Sequence, residues 1–310
     1  MNRFAAAAIA AGCGVLAGSL YLAVLVGSTG GLMLVYLTQL PLFVAGLWFG
    51  TSGAAIAGLA ATLVLFAASD LVAAALFAAL NAVPVTILVR QALLARQSDG
   101  AVRWYPPGLL AAWLTAMALA GIAIALVVAG GPAGMQAEMR DAVAAALDRL
   151  VEQTVPNRTE LIDGVVLVIP GIIASAWMVM AVINGVLAQG LVARFGANWR
   201  PSPELARLSL PLWLPLLLTA AAIGSAFSGM PRFLAINTLI VMLVPFGLAG
   251  LAVLHRAVRR LSHPVAVLIA FYVFAGLFGW PLLAVAVLGL FETWLGLRRR
   301  LIRPGESTHG

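Results

Sequence analysis

Long apolar stretches separated by short polar breaks make up most of this chain. A membrane-spanning helix needs about 20 mostly apolar residues, and stretches of that length recur along the sequence. They do not alternate apolar with polar residues, as the strands of a membrane barrel would. We place the apolar segments at residues 5–27, 32–50, 52–69, 71–90, 108–130, 164–190, 208–228, 233–254, 264–279 and 281–297.

This pattern predicts an all-α, polytopic transmembrane helical bundle of about 8–10 spans. The number depends on the last two segments, which form either two short helices or a broken hairpin around Gly279, Trp280 and Pro281. The first apolar run is too long for the core of a signal peptide, so we expect an uncleaved span. Residues 1–310 should form a single membrane domain, with four spans in residues 1–95.

One segment outside the spans, residues 133–162, has a helical pattern of a different kind. Its apolar residues recur at helical spacing, and charged residues occupy the other face. The apolar positions are Met135, Met139, Val143, Leu147 and Leu150. We expect an extracytoplasmic amphipathic helix that lies across the outer mouth of the bundle or in the headgroup layer, and a lid is the second interpretation.

The composition supports a membrane location, because 63% of the residues are hydrophobic and only 9% are charged. The net charge of +7 does not indicate nucleic-acid binding, since the basic residues lie at the ends of apolar runs. Most of the arginines fall on one side if the N-terminus is cytoplasmic, as expected for a bacterial inner-membrane protein. Those arginines are Arg3, Arg90, Arg96, Arg103, Arg194, Arg200, Arg207, Arg256, Arg259, Arg260, Arg298, Arg299, Arg300 and Arg303.

Both termini are therefore predicted to be cytoplasmic, with residues 298–310 as a tail. Two groups of arginines should form a cytoplasmic basic face: Arg256, Arg259 and Arg260, together with Arg298, Arg299 and Arg300. Anchoring to anionic lipid is one role for this face. Docking of a membrane or cytoplasmic protein partner is the other, because the planar arginine fork suits carboxylates.

Catalytic chemistry is not indicated by the sequence. No His, Cys or paired carboxylates lie together at a plausible depth, and no metal-binding spacing or cofactor motif occurs. We therefore predict no enzyme activity, no cofactor and no metal. Asp70 lies between two apolar segments, where it is expected to cap the helix that follows.

Neutral amide side chains inside the apolar segments are the best candidates for ligand binding. The candidates are Gln39, Asn81, Asn184 and Asn237. Each could instead make a hydrogen bond between helices. Together with helix-breaking Pro41, Pro84, Pro170 and Pro245, they are also suited to line a cavity for a small, largely neutral ligand.

Pairs of glycines four residues apart are expected to serve helix packing. The pairs are Gly14 with Gly18 and Gly46 with Gly50. Small residues at this spacing let two transmembrane helices approach closely. We assign these glycines to packing rather than to a binding site.

Two stretches resemble the YybS-like family of bacterial multi-pass membrane proteins, which has no established activity. One contains "LPLFVAGLWFGTSGAAIAGLAATLVLF" and "FAALNAVPVTILVRQ"; the other contains "INTLIVMLVPFGLAGLAVLHRAVRR" and "LLAVAVLGLFETWLGLRRR". The spacing of Leu40, Pro41, Gly46, Gly50 and Gly53 also resembles substrate-binding subunits of energy-coupling-factor vitamin transporters. That likeness covers about the first third of the chain and implies a ligand held between helices.

Two functions from different classes follow. The first is a transporter-subunit-like protein of uncharacterised activity that binds a small molecule within the helical bundle. The second is a non-transporting membrane scaffold, whose bent, glycine-rich helices dock partner membrane proteins. Convergence of Gln39, Asn81 and Asn184 on one internal cavity would favour the first, and separate contacts between helices would favour the second.

Overall fold

The computed structural model describes residues 2–25, 29–98, 100–150, 157–203 and 208–295, which are almost entirely helical. In chain order the helices are α1 (Arg3–Leu25), α2 (Thr29–Val35), α3 (Gln39–Phe49), α4 (Thr51–Ala68), α5 (Leu71–Phe77), α6 (Val83–Ala92), α7 (Pro107–Val128), α8 (Pro132–Leu150), α9 (Arg158–Arg194), α10 (Trp213–Gly224), α11 (Met230–Val258), α12 (Pro264–Phe278) and α13 (Trp280–Leu295). A π-helical turn, Ala78–Ala82, joins α5 to α6. Two strands, β1 (Ala95–Ser98) and β2 (Ala101–Trp104), form an antiparallel hairpin.

The prediction of an all-α transmembrane bundle is confirmed. Among the described residues, six helices are long and apolar enough to cross a membrane. They are Arg3–Val24, Thr51–Ala68, Leu71–Ala92, Pro107–Val128, Arg158–Arg194 and Met230–Val258. Helices α12 and α13 bend by 116° at Gly279, and the count becomes seven if this pair is one span.

This count is lower than the ten predicted segments because two of them form shorter helices and the last two form the bent pair of α12 and α13. Segment 32–50 is interrupted by a turn at residues 36–38, between α2 and α3. Segment 208–228 gives only the 12 residues of α10, which starts after Pro211. Twelve residues span about 18 Å at 1.5 Å per residue, well short of a hydrocarbon core of about 30 Å.

The chain divides into two compact units. The first unit comprises residues 1–114 and 178–203, and the second comprises residues 115–177 and 204–310. Each unit contains its own closely packed helix pairs.

Glycines bring the helices of the first unit into close contact. A Cβ atom on Gly14 would overlap the carbonyl oxygen of Ala57 in α4, and one on Gly18 would lie 3.1 Å from the carbonyl oxygen of Ala61. A Cβ atom on Gly46 of α3 would lie 2.8 Å from Val89 of α6. Such contacts suit a bundle in which packing, rather than the hydrophobic effect, joins the helices.

Gly50 differs from the other predicted packing glycines. It lies between α3 and α4 with φ of +85°, and open space surrounds the position of a Cβ atom. Residues with a side chain rarely adopt this left-handed backbone conformation. Gly50 therefore serves the tight turn between two helices and makes no packing contact of the expected kind.

The second unit pairs α11 with α13 through two glycines. A Cβ atom on Gly250 would overlap the carbonyl oxygen of Val285, and one on Gly289 would overlap that of Phe246. The two helices therefore approach each other at backbone distance. Neither glycine was assigned to packing from the sequence.

The amphipathic segment 133–162 contains helix α8, which is described from Pro132 to Leu150. Met135 is buried, and Met139, Val143 and Leu147 are less exposed than the charged face. Residues 151–156 lie outside the described part of the chain, and α9 begins at Arg158. Exposed ion pairs join the helices: Arg140 with Asp163 at 2.6 Å and Arg158 with Asp148 at 2.7 Å.

Candidate functional site

The first unit buries four polar side chains at connected breaks in its helices, and we name them the amide cluster: Thr38, Gln39, Asn81 and Asn184. Thr38 and Gln39 are fully buried, Asn184 is 1% exposed and Asn81 is 5% exposed. They come from the turn between α2 and α3, the first residue of α3, the π-helical turn and α9. Burial of four polar side chains among membrane helices is costly unless each finds a partner.

Gln39 connects α3 to the π-helical turn. Its Nε2 donates to Oδ1 of Asn81 at 3.2 Å and to the carbonyl oxygen of Leu80 at 3.4 Å. In a regular α-helix that carbonyl would accept from the backbone N–H of residue 84, and Pro84 has none. The Gln39 amide therefore supplies a donor where proline removes one.

The π-helical turn places Asn81 in the cluster. Turns of this kind are rare and occur mainly as single insertions in α-helices, frequently at functional sites. Here the turn begins directly after α5 and ends two residues before Pro84, so Asn81 and Ala82 are both buried. Gly58 of α4 makes room for this segment, since its Cβ atom would lie 2.8 Å from that of Ala82.

Asn184 connects α9 to the turn before α3. Its Nδ2 donates to the carbonyl oxygen of Tyr36 at 2.6 Å and to that of Met180 at 2.8 Å. A Cβ atom on the neighbouring Gly185 would lie 3.7 Å from the ring of Phe43, which is ordinary contact. Helix α9 therefore packs on the break between α2 and α3, and Asn184 satisfies one carbonyl group of that break.

Three oxygen atoms of the amide cluster have no hydrogen-bond partner among the described residues: Oγ1 of Thr38, Oε1 of Gln39 and Oδ1 of Asn184. The orientation of both amides is fixed, because each nitrogen already donates to backbone carbonyls. An unsatisfied buried polar atom costs about 1–3 kcal/mol. The cluster therefore offers three buried acceptor oxygens, and the side-chain nitrogens of Gln39 and Asn184 are already engaged.

The surroundings of the cluster are neutral. Asp70 is the one described carboxylate of the first unit, and it is exposed at the start of α5. Its side chain accepts from the backbone N–H of Ala73 at 2.8 Å, which is the predicted capping bond. In the described ranges, no three His, Cys, Asp or Glu side chains are grouped as metal ligands.

Asn237 belongs to the second unit and has a different role. Its Oδ1 accepts from the backbone N–H of Gly171 at 2.6 Å, and its Nδ2 donates to the carbonyl of Leu167 at 3.0 Å. In a regular α-helix the N–H of Gly171 would donate to the carbonyl of Leu167, four residues earlier, and this pair lies next to Pro170. Nδ2 also donates to the carbonyl of Phe233 at 2.8 Å. Asn237 thus contacts α9 beside Pro170, and both its side-chain oxygen and its side-chain nitrogen have hydrogen-bond partners.

Arg200 is a buried cation, although the sequence pattern indicated only a topology signal at this position. It is 5% exposed, and its Nη1 donates to the carbonyl of Ala92 at the end of α6, at 3.0 Å. Gln189 and Asn198 donate to its backbone carbonyl. Burial lowers the pKa of the Arg200 guanidinium. Its neighbours in the sequence do not distinguish it from the other loop arginines.

The hairpin of β1 and β2 was also not predicted. Arg96 lies directly opposite Arg103, so two exposed positive charges share one face. Asp99-Gly100 at the tip is a strong hairpin signal, and Gly100 has φ of +75°. The Asp-Gly signal is present in the sequence, but the flanking residues lack the alternating β-branched residues that strands usually show.

The basic face is described only in part. Arg259 and Arg260 are exposed just after α11, and Arg256 is half-buried in its last turn. Arg298, Arg299 and Arg300 lie outside the described residues. Convergence of the two groups stays a prediction.

Comparison with known proteins gives one family. A family model described as "Predicted membrane protein (DUF2232)" matches residues 15–293. Curated proteins and solved structures give no match. The likeness to vitamin-transporter subunits and the YybS-like name therefore rest on the sequence patterns given above.

Proposed function

This chain belongs to the DUF2232 family of predicted membrane proteins, and we propose that it binds a small polar molecule between the helices of its first unit. The observation that carries this proposal is the amide cluster. Three of its four side chains hold an acceptor oxygen that is buried and unpartnered within the described chain. A protein pays for such groups in stability, and functional sites are where that cost is commonly tolerated.

The chemistry of the cluster restricts the ligand. Nε2 of Gln39 and Nδ2 of Asn184 are already engaged with carbonyl oxygens, so neither offers a donor to an anion. A molecule that presents hydrogen-bond donors matches the unpaired oxygens. These oxygens support a binding role, and transport itself stays part of the proposal, in line with the likeness to transporter subunits.

The scaffold function stays the alternative. Gly14 and Gly18 of α1 lie against α4, and Gly46 lies against α6, so these glycines are occupied by internal packing. A surface for a partner helix needs small residues that remain open to lipid. A Cβ atom on Gly12 or Gly164 would meet open space, so such residues are present elsewhere in the helices.

A thermal-shift screen of the purified full-length protein tests the proposal. Neutral and cationic polar molecules should be added singly, and a true ligand should raise the Tm increasingly as its concentration exceeds the Kd. Gln39→Met should abolish the rise, because it removes the acceptor oxygen while keeping a side chain of similar length.

The control for this screen is Gln189→Met, which alters an amide of the same unit that donates to Arg200 instead. It should keep the ligand response. A ligand response that Gln39→Met retains, or a screen in which no compound shifts the Tm, contradicts the proposed function.

A further inference from the structure

The three unpartnered oxygens are all neutral. One is a hydroxyl oxygen and two are carboxamide oxygens, and they belong to residues that adjoin a break between two helices. Asn184 binds the carbonyl of Tyr36, two residues before Thr38, and Gln39 follows Thr38 directly. The acceptors therefore belong to one short turn and the α9 side chain that is bonded to it.

Neutral oxygens at an interrupted helix are typical ligands for a monovalent cation. Carbonyl groups replace the hydration shell of alkali ions in membrane channels, and interrupted helices provide such carbonyls in transporters. A divalent ion instead favours carboxylates, and the one described carboxylate of this unit is exposed and caps α5. The oxygen set thus matches a single positive charge.

We propose that Thr38, Gln39 and Asn184 bind a desolvated monovalent cation, either an alkali ion or the ammonium group of an organic ligand. The inference rests on the proposed function, because it names the chemical class of ligand for the same site. Each of the three residues has an unpartnered oxygen whose lone pair can bind a cation.

A direct test compares cations at constant ionic strength. The full-length protein is placed in nanodiscs of zwitterionic lipid, so that the exposed arginines meet no anionic headgroups. Its Tm is measured as choline chloride is replaced by NaCl, KCl or methylammonium chloride. We expect a concentration-dependent rise of about 5 °C with at least one of the three compact cations and none with choline, whose three N-methyl groups hold its charge away from the oxygens.

Substitutions at Thr38 locate the effect. Thr38→Val is close in shape and removes the hydroxyl, so it should flatten the cation response, whereas Thr38→Ser should keep it. Thr62→Val is the matched control, because the Thr62 hydroxyl bonds to Gly58 of its own helix at 2.8 Å. If Thr38→Val does not fold, Gln39→Met provides the same comparison.

The salt dependence of wild type and variants decides between the outcomes. A rise with NaCl or KCl supports an alkali-ion site, and a rise with methylammonium alone supports an organic ammonium ligand. Equal Tm values in all four salts, or a rise that Thr38→Val keeps, overturn the inference. If a neutral molecule shifts the wild-type Tm while no cation does, the proposed function stands and the cation inference fails; if nothing shifts it, both fail.

Discussion

The side-chain nitrogen of Gln39 lies 3.2 Å from the side-chain oxygen of Asn81, although 42 residues separate them in the chain. This bond connects the first turn of α3 to the π-helical turn. It also orients Gln39 so that Oε1 is left without a partner in the described chain. A structural contact and a candidate binding atom therefore occur in one side chain, and substitutions can separate the two.

A double-mutant cycle measures the Gln39–Asn81 bond. Asn81→Leu should lower the free energy of unfolding by about 1–2 kcal/mol, because a buried interhelical hydrogen bond is lost. In combination with Gln39→Leu, the coupling energy should be about 0.5–2 kcal/mol. Denaturant titration in mixed micelles provides the measurement. Asn81→Leu with Gln189→Leu is the control pair and should be additive, and a zero coupling for Gln39 with Asn81 would refute the contact.

Glycine substitutions in α9 test the bridge made by Asn237. Gly171→Ala should destabilise the protein by about 1–3 kcal/mol, because the new Cβ atom would lie 3.0 Å from Asn237 and displace its amide. Gly164→Ala in the same helix meets open space and should be neutral or stabilising by up to about 1 kcal/mol. Equal stabilities of the two variants, measured by thermal unfolding, would argue against the bridge.

Helix α1 offers a second matched pair of glycines. Gly14→Ala should separate α1 from α4, since its Cβ atom would overlap the carbonyl of Ala57, and we expect a loss of about 2 kcal/mol or more. Gly12→Ala has no atom within 4 Å and should leave the stability unchanged or slightly higher. The comparison is made by Tm in the same detergent. A Gly14→Ala variant as stable as wild type would show that the two helices are not in close contact.

The membrane orientation is predicted from the arginine distribution. A reporter that is active only in the cytoplasm should work when fused after Arg303 and stay silent when inserted at Gln153, because positive charge is retained on the cytoplasmic side. Both positions lie outside the described residues, so the test is independent of the helix packing. Activity at Gln153 and silence after Arg303 would reverse the predicted orientation.

The basic face is tested by replacing arginine with lysine. Changing Arg256, Arg259, Arg260, Arg298, Arg299 and Arg300 to lysine should preserve membrane insertion, since either residue is attracted to anionic lipid at about 1 kcal/mol each. Co-purification of a partner should weaken, because lysine does not reproduce the planar arginine fork. Unchanged recovery of a partner from gently solubilised membranes would leave anchoring as the only role.

The positions of the long helices could be predicted from the sequence, because apolar length alone decides them. Residues 52–69 and 71–90 were predicted, and the structure has Thr51–Ala68 and Leu71–Ala92 as candidate spans. The interruption at residues 36–38 was missed, since Tyr36, Leu37 and Thr38 are compatible with a continuous helix in composition. The side chain of Asn184 packs on that segment and donates to the carbonyl of Tyr36, so this carbonyl has a partner outside its own helix.

The candidate amides were found from the sequence, but their roles were not. Asn184 and Asn237 look alike there, each being an asparagine in an apolar run. Their difference is tertiary: the oxygen of Asn237 accepts from Gly171, whereas that of Asn184 has no partner in the described chain. Which atoms of an amide remain unpaired depends on neighbours far along the chain, so no local pattern could have indicated it.

The bend between α12 and α13 affects whether this pair adds an odd or an even number of membrane crossings. At 1.5 Å per residue the two helices are each roughly 22–24 Å long, and a bend of 116° leaves their far ends about 25 Å apart. This distance is less than the hydrocarbon thickness of about 30 Å. The pair should therefore enter and leave through the same face and add an even number of crossings. With this geometry His263 and Leu295 lie on the same side of the membrane, so the pair leaves unchanged the parity set by the helices that precede Pro264.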